Sequence, residues 1–250
     1  NMGKVITFSN HKGGVGKTTS TVNVGVALSQ MGQKVLLIDL DPQANLTQSF
    51  GITKADFNIY EALIGRYELR WVSINENLDV VPSTLDLSGA EIELSGEPGR
   101  EFILRELIEP IRDQYDYILL DTPPSLGLLT VNALATTNAV YIPLQAEYLA
   151  LQGLTKLTTV IRKIQRRLNR KLELGGVFLT QYDNRKILNR EVAQTVADFF
   201  KDKVFKTKIR NNISLAEAPS LGKDIFNYSK KSNGAKDYMS LSKEIIARNS

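Results

Sequence analysis

The sequence contains no cysteine among its 250 residues, and it has only one tryptophan and one histidine. Without cysteine the chain cannot form disulfides, thiolate metal sites or cysteine-ligated iron–sulfur clusters. It also has no apolar run long enough to span a membrane and no signal peptide at its start. These absences favour a cytoplasmic protein. Asn1, which precedes Met2, is interpreted as a residue left by an expression tag.

The net charge of +4 is small, but charge is distributed unevenly along the chain. Residues 1–125 contain 10 basic and 17 acidic side chains, whereas residues 126–250 contain 21 basic and 10 acidic ones. The C-terminal half is therefore strongly basic. On charge alone, a surface that binds a polyanion and a solvated basic face without a partner are equally good interpretations.

Short apolar runs alternate with amphipathic segments, a pattern typical of a largely parallel, twisted β-sheet flanked by helices on both faces. The hydrophobic fraction of 42% is sufficient for one core, and no repeat or linker divides the chain. The sequence therefore predicts a single α/β domain over residues 1–250. Strands are predicted at 5–8, 35–38, 78–81, 117–120, 140–142, 176–179 and 204–209. Helices are predicted at 18–31, 101–113, 151–168, 189–200 and 234–248.

A glycine-rich segment, "HKGGVGKTT", lies between the first predicted strand and the first predicted helix. Its glycines have no Cβ, so the turn can direct backbone N–H groups and the positive helix end at an anion. In such a loop Lys17 reaches the β- and γ-phosphates of a nucleotide, and the Thr18 hydroxyl ligates Mg²⁺. The predicted phosphate-binding residues are Lys12, Gly13, Gly14, Val15, Gly16, Lys17, Thr18 and Thr19.

The form "KGGVGKTT" resembles the deviant Walker A motif of the ParA/MinD family of ATPases, with His11 where the general loop has glycine. The resemblance implies a P-loop NTPase that binds ATP and Mg²⁺. It also implies that Lys12 reaches across a two-fold interface to the nucleotide of another subunit and stabilises charge on the transferred phosphoryl group. Lys12 and Lys17 are thus catalytic candidates. His11 is interpreted as a residue that shapes the loop.

Two predicted strands end in aspartate, at the edge where ligands of open α/β sheets collect. The segment "DLDPQ" resembles the family's "DxDPQ", which implies that Asp41 activates the attacking water and that Asp39 supports Mg²⁺ through water. Asp121, in "YILLDTPPS", follows a Walker B-like strand and is expected to hold the water shell of the metal. The expected metal residues are therefore Thr18, Asp39 and Asp121. The alternative for each aspartate is a helix cap or a turn former.

Longer segments extend the resemblance over almost the whole chain. "DLDPQANLTQSFGI", "YDYILLDTPPSLGLLTVNAL" and "LAEAPSLGKDI" look like segments of small Soj-type ParA proteins. The resemblance implies an ATP-dependent sandwich homodimer that binds DNA without sequence preference on the nucleoid, and that a ParB-type partner releases by stimulating hydrolysis. It also places Pro219 near the adenine. Because the chain starts almost at the first predicted strand, no N-terminal helix-turn-helix extension is expected.

The same resemblance suggests a role for the basic C-terminal half, because nonspecific DNA binding needs Lys and Arg side chains that face phosphates. Ser214 stands where relatives often have a second arginine, which weakens the individual assignment of Arg210. A further basic run at 162–171 lies on a predicted helix and is equally well a solvated face. The expected DNA-binding residues are Arg185, Lys186, Arg190, Arg210, Lys223, Lys230 and Lys231.

Other functions of the superfamily fit less well. A MinD-like membrane-cycling ATPase would need a C-terminal amphipathic membrane helix, whereas Ile245 and Ile246 are more simply core contacts, so no stable membrane anchoring is expected. The lack of cysteine excludes a nitrogenase-type reductase, and a tyrosine autokinase usually has a tyrosine-rich tail, which Tyr228 and Tyr238 do not make. A further alternative is a scaffold that binds ATP, dimerises and barely hydrolyses the nucleotide. It would differ from a ParA-type ATPase in that no partner raises its rate of hydrolysis.

Overall fold

The apolar runs of the sequence form the strands of one seven-stranded sheet in a computed structural model that describes residues 2–250. Asn1, the residue interpreted as a tag remnant, lies outside the described residues. The strands are β1 (Lys4–Phe8), β2 (Val35–Asp39), β3 (Val72–Asn75), β4 (Leu78–Val81), β5 (Tyr117–Asp121), β6 (Ala139–Gln145) and β7 (Glu173–Thr180). Their spatial order is β3-β4-β2-β5-β1-β6-β7, and every pairing is parallel except that of β3 with β4.

Helices connect the strands and cover the sheet. The α-helices are α1 (Lys17–Gln30), α2 (Asn45–Ser49), α3 (Ile59–Leu63), α4 (Ala90–Glu93), α5 (Ile103–Ile108), α6 (Leu128–Thr136), α7 (Leu154–Arg167), α8 (Ile187–Phe200), α9 (Ile213–Glu217), α10 (Ile225–Tyr228) and α11 (Asn233–Arg248). Short 3₁₀ turns span Leu85–Gly89, Arg100–Phe102, Glu109–Gln114, Lys201–Lys203 and Ala218–Leu221. No helix within residues 2–250 is both long and apolar enough to cross a bilayer.

The two faces of the sheet are buried under different helices, because successive residues of a strand point to opposite sides. Ile6 and Phe8 of β1 belong to a core cluster that includes residues of α1 and α11. Val5 belongs to a second cluster, with residues of α3, α5 and α6. This arrangement confirms the predicted α/β sheet with helices on both faces. It also gathers the carboxyl ends of the central strands β2, β5 and β1 at one edge.

The predicted last strand at 204–209 is wrong in extent. Isolated bridges pair Val204 with Val177 and Arg210 with Tyr182, and the N–H groups of Phe205 and Ile209 donate to carbonyls of β7. The segment thus joins β7 at separate points and not as a continuous strand. In between, the Glu244 carboxylate accepts the backbone N–H groups of Lys206 (3.0 Å) and Thr207 (2.6 Å). A side chain of α11 therefore takes the donors that a regular ladder would need.

Two other differences have local causes. The predicted helix 101–113 is divided into a 3₁₀ turn, α5 and a second 3₁₀ turn, and Pro110 in the second turn has no N–H with which to continue an α-helix. Helix α6 was not predicted, because its residues are largely apolar and buried and lack the polar stripe that identifies a surface helix. Leu129 packs in one core cluster and Leu134 in another, so α6 joins two parts of the core.

Candidate nucleotide-binding site

The glycine-rich loop joins β1 to α1 in a strongly curved path. Gly14 and Gly16 have φ angles of 74° and 95°, in the left-handed region that favours glycine. Two side chains at the end of β7 support this path: the Thr180 hydroxyl donates to the Val15 carbonyl (2.8 Å), and the Gln181 amide donates to the Gly14 carbonyl (3.0 Å). The carbonyls of Gly14 and Val15 thus accept hydrogen bonds from side chains at the end of β7.

The N–H groups of the same loop are available. Within residues 2–250, no hydrogen bond is donated by the backbone N–H groups of residues 13–16. The first N–H groups of α1 also lack partners within the helix, and Gly16 provides no side-chain cap. A series of free donors at a helix N-terminus can bind phosphate oxygens.

Lys17 is a buried cation at the start of α1, with 7% of its surface exposed. Its Nζ donates to the Asn10 carbonyl (2.7 Å), and the Asn10 side chain donates in turn to the Pro143 carbonyl (2.9 Å). Burial lowers the pKa of Lys17, and the negative charges of Asp121 and Asp41 oppose that shift. An anion bound beside Lys17 would stabilise its charged form further.

Thr18 and Asp121 meet at the carboxyl edge of the sheet, where the Thr18 hydroxyl donates to Asp121 Oδ2 (2.8 Å). Asp121 is fully buried, and its Oδ1 has no hydrogen-bond partner within residues 2–250. Burial raises the pKa of Asp121, and the charge of Asp39, its register partner on β2, raises it further. A buried carboxylate oxygen without a partner, next to a hydroxyl, fits a divalent cation.

The number of protein ligands for such a cation is small. No group of three His, Cys, Asp or Glu side chains suited to a metal ion occurs in the part of the chain that the structure describes. Mg²⁺ commonly keeps several waters and takes one or two carboxylates together with nucleotide phosphates. The donor set fits Mg²⁺ in the company of a nucleotide better than it fits a metal held by protein alone.

Asp39 and Asp41, two residues apart, have different surroundings. Asp39 is fully buried, and its carboxylate accepts hydrogen bonds from the Asp41 N–H (3.1 Å) and from both the N–H (3.0 Å) and the hydroxyl (2.7 Å) of Thr47. Burial raises the pKa of Asp39 to about 6, although these bonds act in the opposite direction. Asp41 is 8% exposed, and its Oδ1 accepts the Gln43 N–H (3.0 Å). The Asp41 carboxylate can therefore accept more additional hydrogen bonds than the Asp39 carboxylate can.

Lys12 is in a different environment from Lys17. Its ammonium forms an ion pair with Glu147, in the loop after β6, and the two side chains are 53% and 36% exposed. Its N–H donates to the Asn10 side chain (3.1 Å), which fixes the start of the loop. Lys17 is therefore a buried cation beside two aspartates, whereas Lys12 is a half-exposed cation on the outside of the loop.

His11 and Pro219 have different neighbours. The His11 ring lies against Gly153, just before α7, and its buried Nδ1 has no hydrogen-bond partner within residues 2–250. Pro219 lines a groove of about 970 Å³ with Gln48, Gly51 and other residues that follow β2. The adenine contact expected of Pro219 stays a prediction.

The side chains expected to bind DNA are all exposed, and the structure brings some of them together. Arg185 and Arg210 line one groove of about 670 Å³ with Lys206 and Lys208. Lys186 and Arg190 lie at the start of α8, whereas Lys223, Lys230 and Lys231 flank α10 and are not among the lining residues. The basic run at 162–171 contains the exposed face of α7.

Both arginines of this basic groove already contact carboxylates. Arg185 forms two hydrogen bonds with Asp183 (3.0 and 2.9 Å) and lowers the pKa of Asp183 to about 2. Arg210 forms two with Asp237 (3.0 and 2.9 Å). Their charges are therefore partly neutralised within the chain, which the sequence did not indicate.

Comparison with known proteins identifies the family. A family model described as an AAA domain matches residues 3–174. The sporulation initiation inhibitor protein Soj of Bacillus subtilis (strain 168) is 47% identical over 98% of this chain and 99% of its own. The chain belongs to the ParA/MinD family of ATPases. Within that family it is of the Soj type: the chromosome-partitioning ATPase Soj of Treponema pallidum (strain Nichols) is 46% identical, over 99% of this chain and 98% of its own.

A solved structure supports the assignment of the ParA/MinD fold. Cobyrinic acid a,c-diamide synthase from Mycobacterium smegmatis, with bound ADP and magnesium, matches with a TM-score of 0.86 and 34% identity, over 98% of this chain and 94% of that one. Its sequence identity is lower than that of the Soj proteins, so the Soj type, and not the synthase, describes this chain. The resemblance inferred from the motifs is confirmed.

Sequence reasoning missed several residues that contact the ParA-family loop. Asn10 follows β1, Glu147 follows β6, Thr180 ends β7 and Gln181 follows it. Their position in the sequence is the signal that could have identified them, because they lie at or just after the carboxyl ends of strands, where ligands of α/β sheets bind.

Proposed function

We propose that this ParA-family protein binds Mg-ATP in its glycine-rich loop and partitions chromosomal or plasmid DNA by alternating between a DNA-bound ATP dimer and a free form. The observation that carries the proposal is the juxtaposition, at one strand edge, of free loop N–H groups, the buried Lys17 ammonium and an unpartnered Asp121 oxygen. The bound ADP and magnesium of the Mycobacterium smegmatis relative and the partitioning name of the Treponema relative support it.

In the proposed reaction, water attacks the γ-phosphorus, the bond from that phosphorus to the β–γ bridging oxygen breaks, and ADP and phosphate leave. Asp41 orients the water and accepts its proton, while Lys17 and the loop N–H groups stabilise the phosphate oxygens. Thr18 and Asp121, with Asp39 through water, would hold Mg²⁺, which supplies charge neutralisation at the β- and γ-phosphates. A ParB-type partner is proposed to raise the rate.

The exposure of Lys12 supports the proposed ATP dimer. A half-exposed ammonium paired with one surface carboxylate can exchange that partner at low cost, because exposed ion pairs contribute only about 0–1 kcal/mol. The nucleotide phosphates of a second subunit carry more negative charge than Glu147 does. Lys12 is therefore proposed to leave Glu147 and contact the nucleotide of the partner subunit, so that ATP joins the two subunits.

Lys12→Ala is predicted to weaken the ATP-dependent dimer by about 30-fold or more, because it removes one member of a charge pair that the interface buries. ATP binding to the monomer should persist, since the Lys17 cradle is untouched. Sedimentation velocity with a slowly hydrolysed ATP analogue measures the first effect, and nucleotide titration the second.

Lys34→Ala is the matched control, because Lys34 is also exposed but precedes β2 at the opposite edge of the sheet. It should dimerise as the unmodified chain does. Normal ATP dimers of the Lys12→Ala variant would refute the cross-subunit role.

The basic groove is the proposed DNA-binding surface, although a carboxylate within the chain neutralises part of its charge. Arg185 lines the groove with Lys206, the exposed Lys186 follows Arg185 in the chain, and counterion release favours the binding of DNA phosphates to such side chains. Asp183 neutralises part of the Arg185 charge. Lys186 and the groove lysines are therefore proposed to contribute more than Arg185 in the free protein.

The double variant Arg185→Ala, Lys186→Ala is predicted to weaken binding of random-sequence duplex and to reduce the slope of log K against log salt by about 1–2, from the loss of one or two phosphate contacts. Asp183→Asn should act in the reverse direction, because it releases Arg185. Fluorescence anisotropy across a salt titration measures both.

Arg162→Ala, Lys163→Ala on α7 is the matched control, with the same loss of charge at two residues that do not line the groove. An equal effect in the control would show that DNA binding follows net charge and not this groove. Unchanged slopes in the Arg185, Lys186 variant would place the DNA site elsewhere.

A further inference from the structure

Four residues around the end of β2 form a closed ring of hydrogen bonds. Asp39 accepts the Thr47 hydroxyl (2.7 Å), and that hydroxyl accepts the Ser83 N–H (2.9 Å). The Ser83 hydroxyl donates to the Asp41 carbonyl (2.7 Å), and the Asp41 N–H donates back to Asp39 (3.1 Å). All four residues are buried, so water does not compete freely for these bonds.

The ring holds the backbone of Asp41 from both sides. Its N–H is bound by the Asp39 carboxylate and its carbonyl by the Ser83 hydroxyl, which comes from the segment after β4. The Thr47 hydroxyl donates in one direction and accepts in the other, so its rotamer is fixed. The Asp41 carboxylate takes no part in the ring, and its Oδ1 accepts the Gln43 N–H.

The turn that the ring encloses is strained. Ala44, between Asp41 and Thr47, has a φ of 56°, a left-handed conformation that costs a non-glycine residue about 1–2 kcal/mol. Such strain persists only where surrounding contacts impose it, and it concentrates at functional sites. Ser83 bonds to Asp41 before Ala44 and to Thr47 after it, and these two hydrogen bonds provide that constraint.

We infer that Thr47 and Ser83 are positioning residues for hydrolysis, which fix the backbone of Asp41 so that its carboxylate meets the attacking water in one orientation. The inference rests on the proposed role of Asp41 and assigns a task to two residues that contact no phosphate in that proposal. It also gives Asp39 a second task, as the acceptor that anchors α2 to the end of β2.

The test compares Thr47→Val, which keeps the shape and removes the hydroxyl, with Thr47→Ser, which restores it. Thr47→Val should lower kcat by about 10- to 100-fold, because small displacements of a catalytic group have effects of that size. ATP affinity should stay within about twofold, since the loop is untouched. Thr47→Ser should recover most of kcat. Ser83→Ala should also lower kcat, and it replaces Thr47→Val as the test variant if Thr47→Val folds poorly.

A second readout needs no nucleotide. In the free protein, backbone amide exchange of residues 41–47 should become faster in Thr47→Val and return toward normal in Thr47→Ser. Thr137→Val is the control, because Thr137 is a buried threonine with a bonded hydroxyl just before β6, at the other edge of the sheet. It should change neither kcat nor exchange at 41–47.

Measuring Asp41→Ala together with the Thr47 variants distinguishes a failure of this inference from a failure of the proposed function. Normal hydrolysis by Asp41→Ala would overturn the role of Asp41 and this inference with it. An inactive Asp41→Ala together with normal kcat and normal exchange in Thr47→Val would overturn the positioning role alone. Equal losses in Thr47→Val and Thr47→Ser would also overturn it, because the hydroxyl would then not be responsible.

Discussion

Lys17→Ala is expected to weaken ATP binding by roughly 30-fold to several thousand-fold, the range that corresponds to about 2–5 kcal/mol for truncation of one partner of a buried, hydrogen-bonded charge pair. Lys17 is buried, and the cation nearest to it in the motif, Lys12, is engaged with Glu147 on the outside of the loop. Titration with a fluorescent ATP analogue measures the loss.

The fold should tolerate this change. Burial lowers the pKa of Lys17, because desolvation disfavours its charged form, although the charges of Asp121 and Asp41 act in the opposite direction. The thermal unfolding midpoint without nucleotide should therefore fall little, whereas the stabilisation by ATP should disappear. Lys34→Ala controls for loss of a lysine. ATP affinity that is unchanged in Lys17→Ala would remove the basis for the phosphate site.

Asp41→Ala is expected to reduce hydrolysis by about 10²- to 10⁴-fold, the usual contribution of a positioned general base. ATP binding should persist, because in the proposed function the loop N–H groups and Lys17, and not Asp41, contact the phosphates. The ATP dimer should then accumulate, since the step that dissolves it is lost. Phosphate release at saturating ATP measures the rate, and sedimentation measures the dimer.

The variant is informative because most of the hydrogen bonds that hold the backbone at Asp41 do not involve its side chain, whose Oδ1 accepts the Gln43 N–H. The N–H is held by Asp39 and the carbonyl by Ser83 and the Ala44 N–H, so the turn should survive truncation. Asp56→Ala, which removes an exposed carboxylate from the neighbouring groove, is the control and should hydrolyse ATP normally. An unchanged rate of ATP hydrolysis in Asp41→Ala would show that Asp41 is not the general base.

The parts of the fold that the sequence predicted are those with a local signal. Four residues of β2 and four of β5 are apolar and are followed directly by Asp39 and Asp121, a pattern that identifies a buried strand and its functional edge in one segment. The loop was recognisable because its glycines and lysines are contiguous. Both signals depend on neighbours within about ten residues.

The parts that were missed depend on residues far apart in the chain. Ser83 reaches Asp41 only because β4 pairs with β2, and Glu244 prevents a regular strand near Lys206 only because α11 packs beside it. The partial neutralisation of Arg210 by Asp237 has the same origin. Such contacts follow from strand order and helix docking, which periodicity does not specify.

The proposed function requires that ATP controls DNA binding. Retention of a random-sequence duplex by the purified protein, measured with ATP and with ADP across a salt titration, tests this requirement. We predict binding with ATP that falls steeply as salt rises, and binding at least about tenfold weaker with ADP. Equal retention with both nucleotides, or no retention by confirmed ATP dimers, would contradict it.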